Sequence, residues 1–111
     1  MTVTVSNIIP AKQAENTQTT QYIASDVKTI IDKFTITNTS ANTVTFSANL
    51  VVDGDAAGAD NLILDERSIA PNETYNAPEL VGHLLAVGDF ISTIAGASSS
   101  LTIRATGRII T

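Results

Sequence analysis

Lys33-Phe34-Thr35-Ile36-Thr37-Asn38-Thr39-Ser40-Ala41-Asn42-Thr43-Val44-Thr45-Phe46 is the stretch on which the fold turns. Ile30, Asp32, Phe34 and Ile36 share one parity, and so do Val44, Phe46, Ala48 and Leu50. Apolar side chains at every second position line one face of an extended strand. Asn38 to Asn42 holds turn formers. The pattern predicts an antiparallel hairpin with a longer loop, with Phe34 and Phe46 as core partners.

On the N-terminal side, Val3, Val5 and Ile8 alternate with polar residues and predict a first strand that ends at Pro10. Ala11 to Thr20 is polar and reads as a loop. A second strand is expected around Tyr22, over Gln18 to Ser25. On the C-terminal side, Asp53 to Asn61 is a Gly/Ala/Asp loop and Leu62-Ile63-Leu64 a short strand. Ser68 to Tyr75 predicts strand, turn at Pro71-Asn72, and strand. Ala77 to Leu85 is the one candidate helix, with Pro78 at its first position, Glu79 at its positive end and Gly82 or Gly88 to stop it. Phe90 to Ala95 and Leu101, Ile103, Ala105 and Ile109 mark the last strands, with Gly107 at a bulge. The fold class expected is all-β, an antiparallel β-sandwich, jelly-roll or immunoglobulin-like, of about eight strands with one short helix. Residues 1–111 are expected to form a single domain, with 1–10 an N-terminal strand or arm.

Only 15% of the residues are charged and the net charge is −5. Thr, Ser and Asn supply the polarity instead, which favours strands and turns. The cations Lys12, Lys28, Lys33, Arg67, Arg104 and Arg108 are scattered, with no two adjacent. A phosphate-gripping domain needs a basic face, so neither nucleic acid nor an anionic membrane is the expected partner. Met1 leads directly into the alternating Thr2-Val3-Thr4-Val5, without the basic start and apolar run of a signal peptide. The expectation is synthesis in the cytoplasm.

The residues of an enzyme are not assembled in the sequence. His83 is the single histidine and sits among Leu80, Val81, Leu84 and Leu85. There is no Cys and no nucleophile elbow to work with it, so it reads as structural, and no catalytic residue, cofactor or metal is expected. Asp53, Asp55 and Asp60 resemble part of a calcium loop but lack the other ligands, and a solvated turn is the plainer reading. Glycines are isolated, so no phosphate loop is present. Without Trp, the three Phe read as core, and Tyr22 and Tyr75 are left as the aromatic contact candidates.

The order of motifs carries a resemblance. The stretch 33–46 is followed by the Gly/Ala loop, Asn61-Leu62-Ile63-Leu64, Ile69 to Tyr75, Ala77 to Gly82, Ala95 to Ser100 and Leu101 to Gly107. Over roughly Ile30 to Thr111 this is similar to small phage and prophage virion proteins, including capsid decoration (cement) proteins. The resemblance implies a non-enzymatic virion protein on the capsid surface, a homo-oligomer, often a trimer, that clamps the major capsid protein. Avidity over a repetitive lattice would make many weak contacts sufficient. Val3, Val5, Ile8 and Ile9 then read as an arm that pairs with a neighbour or within its own sheet. They are the candidate partner contacts, together with Asp53, Asp55 and Asp60. The alternative is a receptor- or carbohydrate-binding module of a phage tail or fibre.

Overall fold

Thr, Val and Ile at alternating positions favour extended backbone, and nine strands result in the computed structural model, which describes residues 1–111. They are β1 Val3–Gln13, β2 Thr19–Ile23, β3 Lys28–Asn38, β4 Val44–Val51, β5 Leu62–Ile69, β6 Thr74–Asn76, β7 Leu84–Leu85, β8 Phe90–Ala95 and β9 Leu101–Ile110. The first sheet runs β1-β9-β3-β6, with β7 also paired to β3; the second runs β2-β8-β4-β5. All pairings are antiparallel. The inner faces meet as a sandwich, as the alternation predicts.

The decisive stretch is built differently from the expected hairpin. β3 lies in the first sheet and β4 in the second, and they do not pair. β3 is paired by β9 on one side and by β6 and β7 on the other, so no edge is left for β4. Residues 39–43 instead arch from sheet to sheet. Phe34 and Phe46 are core partners across the sandwich, with ring centroids 6.0 Å apart at 45°. Periodicity reports which side chains face inward but not which strand supplies the ladder. Asn38 holds the arch. It is fully buried, and its Nδ2 donates to the carbonyls of Asn42 at 2.7 Å and Ile69 at 2.9 Å. Its Oδ1 accepts from the Ser40 N–H at 2.9 Å and the Ser40 hydroxyl at 2.7 Å.

Parity within β3 also breaks. Thr29 and Ile31 face inward, then Phe34, Ile36 and Asn38. The register shifts between Ile31 and Lys33, so Asp32 takes up a bulge and points outward. Gly107 lies opposite Ile31 on one side and Ser6 on the other. A Cβ there would stand 2.5 Å from the Ile30 carbonyl oxygen, so a side chain would clash with backbone.

β1 passes through Pro10 and continues to Gln13, where a loop was expected. Its register shifts between Ser6 and Ile9 and between Ile9 and Lys12. Proline fits there because the strand is at an edge and the second shift leaves it outside the ladder. The short helix expected over Ala77–Leu85 is a turn followed by β7. Apart from one turn bond, Leu80 N–H to Ala77 O at 3.2 Å, its backbone bonds to β3: Ala77 N–H to Phe34 O at 3.0 Å, Gly82 N–H to Ile31 O at 2.7 Å, Ile31 N–H to His83 O at 3.1 Å. The helical turn present is a single 3₁₀ turn at Ala59–Asn61. Leu62–Ile69 is one strand rather than two pieces, kinked at Glu66, whose φ is +43°. No helix is long and apolar enough to cross a membrane.

Candidate interaction face

β9 alternates strictly: Leu101, Ile103, Ala105 and Gly107 are buried, so Thr102, Arg104, Thr106 and Arg108 face out. Beyond its bulge β3 points Lys33, Thr35 and Thr37 the same way, and before it Lys28 and Ile30. Register places Arg104 opposite Thr35, Lys33 opposite Thr106, Arg108 opposite Ile30 and Lys28 opposite Ile110. Four of the six cations, scattered in sequence, thus gather on one sheet face, where Asp32 is the one acid on β3 and β9. Asp32 pairs with Arg108 at 3.0 Å. Lys28, Lys33 and Arg104 form no ion pair; Arg104 donates to the Asn7 side chain at 2.8 Å. Lys33, Thr35, Arg104 and Thr106 line a groove of about 180 Å³.

Apolar side chains border the cations. Val5 lies opposite Arg108, Val3 opposite Ile110, and Leu84 opposite Ile30. Val3, Val5 and Leu84 are 51%, 78% and 55% exposed. A cationic strip edged by aliphatic residues suits a protein surface better than a small ligand.

The candidate contacts divide into three groups. Val3 and Val5 lie on this face. Ile8 and Ile9 are buried in the core, where they hold β1 to the sandwich. The first bulge in β1 separates the two pairs. Asp53, Asp55 and Asp60 lie in the exposed loop after β4, a strand of the second sheet. Their surroundings are local: Asp53 N–H donates to Asp89 Oδ1 at 3.1 Å, and Asp55 Oδ1 accepts from Ala56 N–H at 2.8 Å. No three acidic or histidine side chains converge to hold a metal. The loop is anchored by amides, with Asn49 donating to Gly58 O at 3.0 Å and to Asn61 Oδ1 at 2.8 Å. Gln18, Ser47, Asn49, Asp65 and Glu66 line a second, polar cleft of about 230 Å³ on the other sheet.

His83 is exposed in the turn before β7 and serves through its backbone carbonyl. Tyr22 is half-buried, its hydroxyl 2.7 Å from Thr29 Oγ1. Tyr75 donates to Glu79 at 2.7 Å, and the Arg67 guanidinium stands 4.1 Å over its ring. Desolvation, then the bond to Glu79, raises the Tyr75 hydroxyl above its usual range, and that same bond lowers the Glu79 carboxyl. Glu15 is lowered by its bonds to Gln21 and Lys12. These groups tie segments together.

No family model matches the chain. No curated protein matches it either. Solved structures do: a chain in the structure of infectious bursal disease virus strain Gx matches 97% of this chain with a TM-score of 0.55 at 10% identity. A chain of the VP2 subviral particle of the same virus matches the same share with a TM-score of 0.54, also at 10% identity. At that identity the likeness is one of fold. The chain spans about a third of the length of those it matches, 32% in both cases.

Proposed function

We propose that this chain is a non-enzymatic structural component of a virus particle, of the capsid-decoration type, and that the cationic face of the first sheet docks on an acidic surface of the major capsid protein. The observation that carries the reading is the virus-particle likeness of the sandwich over nearly its whole length. The segregation of charge supports it: the chain is acidic overall, yet one broad sheet face is cationic and rimmed by exposed valine and leucine. Such a face offers many modest contacts in place of one deep pocket, which suits repeated binding on a lattice. Oligomerisation belongs to this reading; a trimer is implied by the phage resemblance alone and has no surface of this fold behind it.

The test is stoichiometric. Particles purified from cells that carry the gene are quantified by mass spectrometry against their major capsid subunit. A decoration protein is expected at a copy number comparable to that subunit. A few copies per particle would move the chain to a tail or fibre, where the polar cleft of Gln18 and Asn49 would be tried on a glycan array. Absence from particles would sink the reading.

A further inference from the structure

A sheet edge exposes unpaired N–H and C=O groups, and folded proteins blunt their edges with charges, prolines, bulges or short strands. In the second sheet, β5 carries Asp65, Glu66 and Arg67 and the kink at Glu66, and β2 is only 5 residues long. In the first sheet, β6 and β7 are pieces of 3 and 2 residues. The later half of β1 has Pro10, Lys12 and two register shifts. Thr2 to Ser6 has none of these devices: it is uncharged, free of proline, β-branched at four successive positions and, up to Val5, exposed.

Its free hydrogen-bonding groups can be assigned. Thr2 N–H donates to Thr111 O at 3.2 Å and Thr111 N–H donates to Thr2 O at 2.9 Å, so Thr2 is a hydrogen-bonded partner of the β9 side. In an antiparallel ladder such pairs recur at every second residue. Thr4 and Ser6 therefore also turn their backbone groups toward β9. Val3 and Val5 turn theirs away from it, to the open side.

The segment is also self-complementary. Thr2-Val3-Thr4-Val5-Ser6 reads almost identically in either direction about Thr4. We infer that two copies of this chain pair antiparallel along this edge, around a two-fold axis at Thr4. Val3 of one copy faces Val5 of the other, and both open-side groups of each pair are used, giving four hydrogen bonds across the seam. Val3 and Val5 from both copies close into one apolar cluster on the outer face, which covers side chains otherwise left in water. Lysine is absent from the seam, so no like charges meet. The two first sheets become one continuous sheet, with their cationic faces on the same side.

Val5→Pro is the discriminating variant. Its ring projects into the incoming strand and removes an N–H that the monomer does not use, so the fold loses no ladder bond. Val5→Lys is the second variant, since it places like charges across the seam without touching the backbone. Light scattering after size exclusion is expected to give the native chain twice the monomer mass of 11.6 kDa, and both variants the monomer mass, with melting equal to that of the native chain diluted to monomer. Amide exchange at Val3 and Val5 is expected to be slow in the native chain and to become fast on dilution to monomer. A native monomer, a native trimer, or a Val5→Lys protein that still dimerises would overturn the inference. Copy number in particles is read separately, so either proposal can fail alone.

Discussion

Asn38 satisfies four polar partners from a position with no access to solvent. A turn residue in the sequence is therefore a structural bond between sheets. Replacing it with alanine strands the Ile69 and Asn42 carbonyls and the Ser40 N–H, and each buried group left unpaired costs about 1–3 kcal/mol. Solvent reaches the arch in part, so the expected loss for Asn38→Ala is about 3 kcal/mol by urea unfolding. Asn38→Asp, which keeps the acceptor but loses the donors, should cost about as much. A loss under about 0.5 kcal/mol would mean that the arch holds itself. Gly107 poses the opposite problem, since there the addition of one carbon is the fault. Gly107→Ala brings a Cβ against the Ile30 backbone oxygen at 2.5 Å, and backbone on a central strand cannot give way cheaply. About 2 kcal/mol of destabilisation is expected, of the size that overpacking costs.

At the scale of elements, alternation gave the inward residues of β4 and β9 correctly and named Phe34 and Phe46 as partners. It failed where the backbone departs from period 2. In β3 the bulge at Asp32 exchanges Ile30 for Ile31, and in β1 two shifts carry the strand past Pro10. The Ala77–Leu85 helix failed for another reason: Pro78, Glu79 and Gly82 are helix-end signals, but two turns of helix are marginal alone, and β3 offered its open edge to the same backbone. Long-range pairing of this kind is not written in local spacing. The Arg67–Tyr75–Glu79 cluster, which fastens β5 to β6 and the following turn, adds a pH dependence. Glu79 and Glu15 are lowered in the folded state, so their contribution is present above the ordinary glutamate range and is lost as pH falls through it. Tyr75 is raised, so its contribution is present below the ordinary tyrosine range and is lost as pH rises through it. Melting temperature should therefore decline on acidification below about pH 4.3 and again in strong alkali. The acid decline should be smaller in a Glu15→Gln, Glu79→Gln double variant, and an unchanged acid limb would mean that the two bonds contribute nothing.

At the scale of the whole molecule, the cationic face was illegible in the sequence because its members lie on two strands more than sixty residues apart. Of this face, the sequence singles out only Val3 and Val5, as apolar residues near the N-terminus. The fold converts scattered charge into an asymmetric particle, and an asymmetric charge is a statement about orientation on a partner. If the first sheet faces an acidic capsid surface, the interaction must weaken with salt, because exposed charges beyond about 10 Å are screened at 0.1 M ionic strength and closer ones are weakened too. It must also respond to charge at that face and not elsewhere. Exposed pairs contribute about 0.2–1 kcal/mol apiece, and reversal turns each attraction into a repulsion. A Lys33→Glu, Arg104→Glu variant is therefore expected to bind purified particles about tenfold or more weakly in a co-sedimentation titration, since 1.4 kcal/mol is a factor of ten. Its fold should survive, as both side chains are exposed and unpaired with any acid. An Asp53→Asn, Asp55→Asn variant changes the charge by half as much, and with the opposite sign, at the loop after β4, and should bind as the native chain does, or slightly better through the less negative net charge. A gain in the aspartate variant about half as large, in free energy, as the loss in the reversal variant would show that net charge alone governs binding. A loss confined to the aspartate variant would place the acidic loop, and not the first sheet, against the particle.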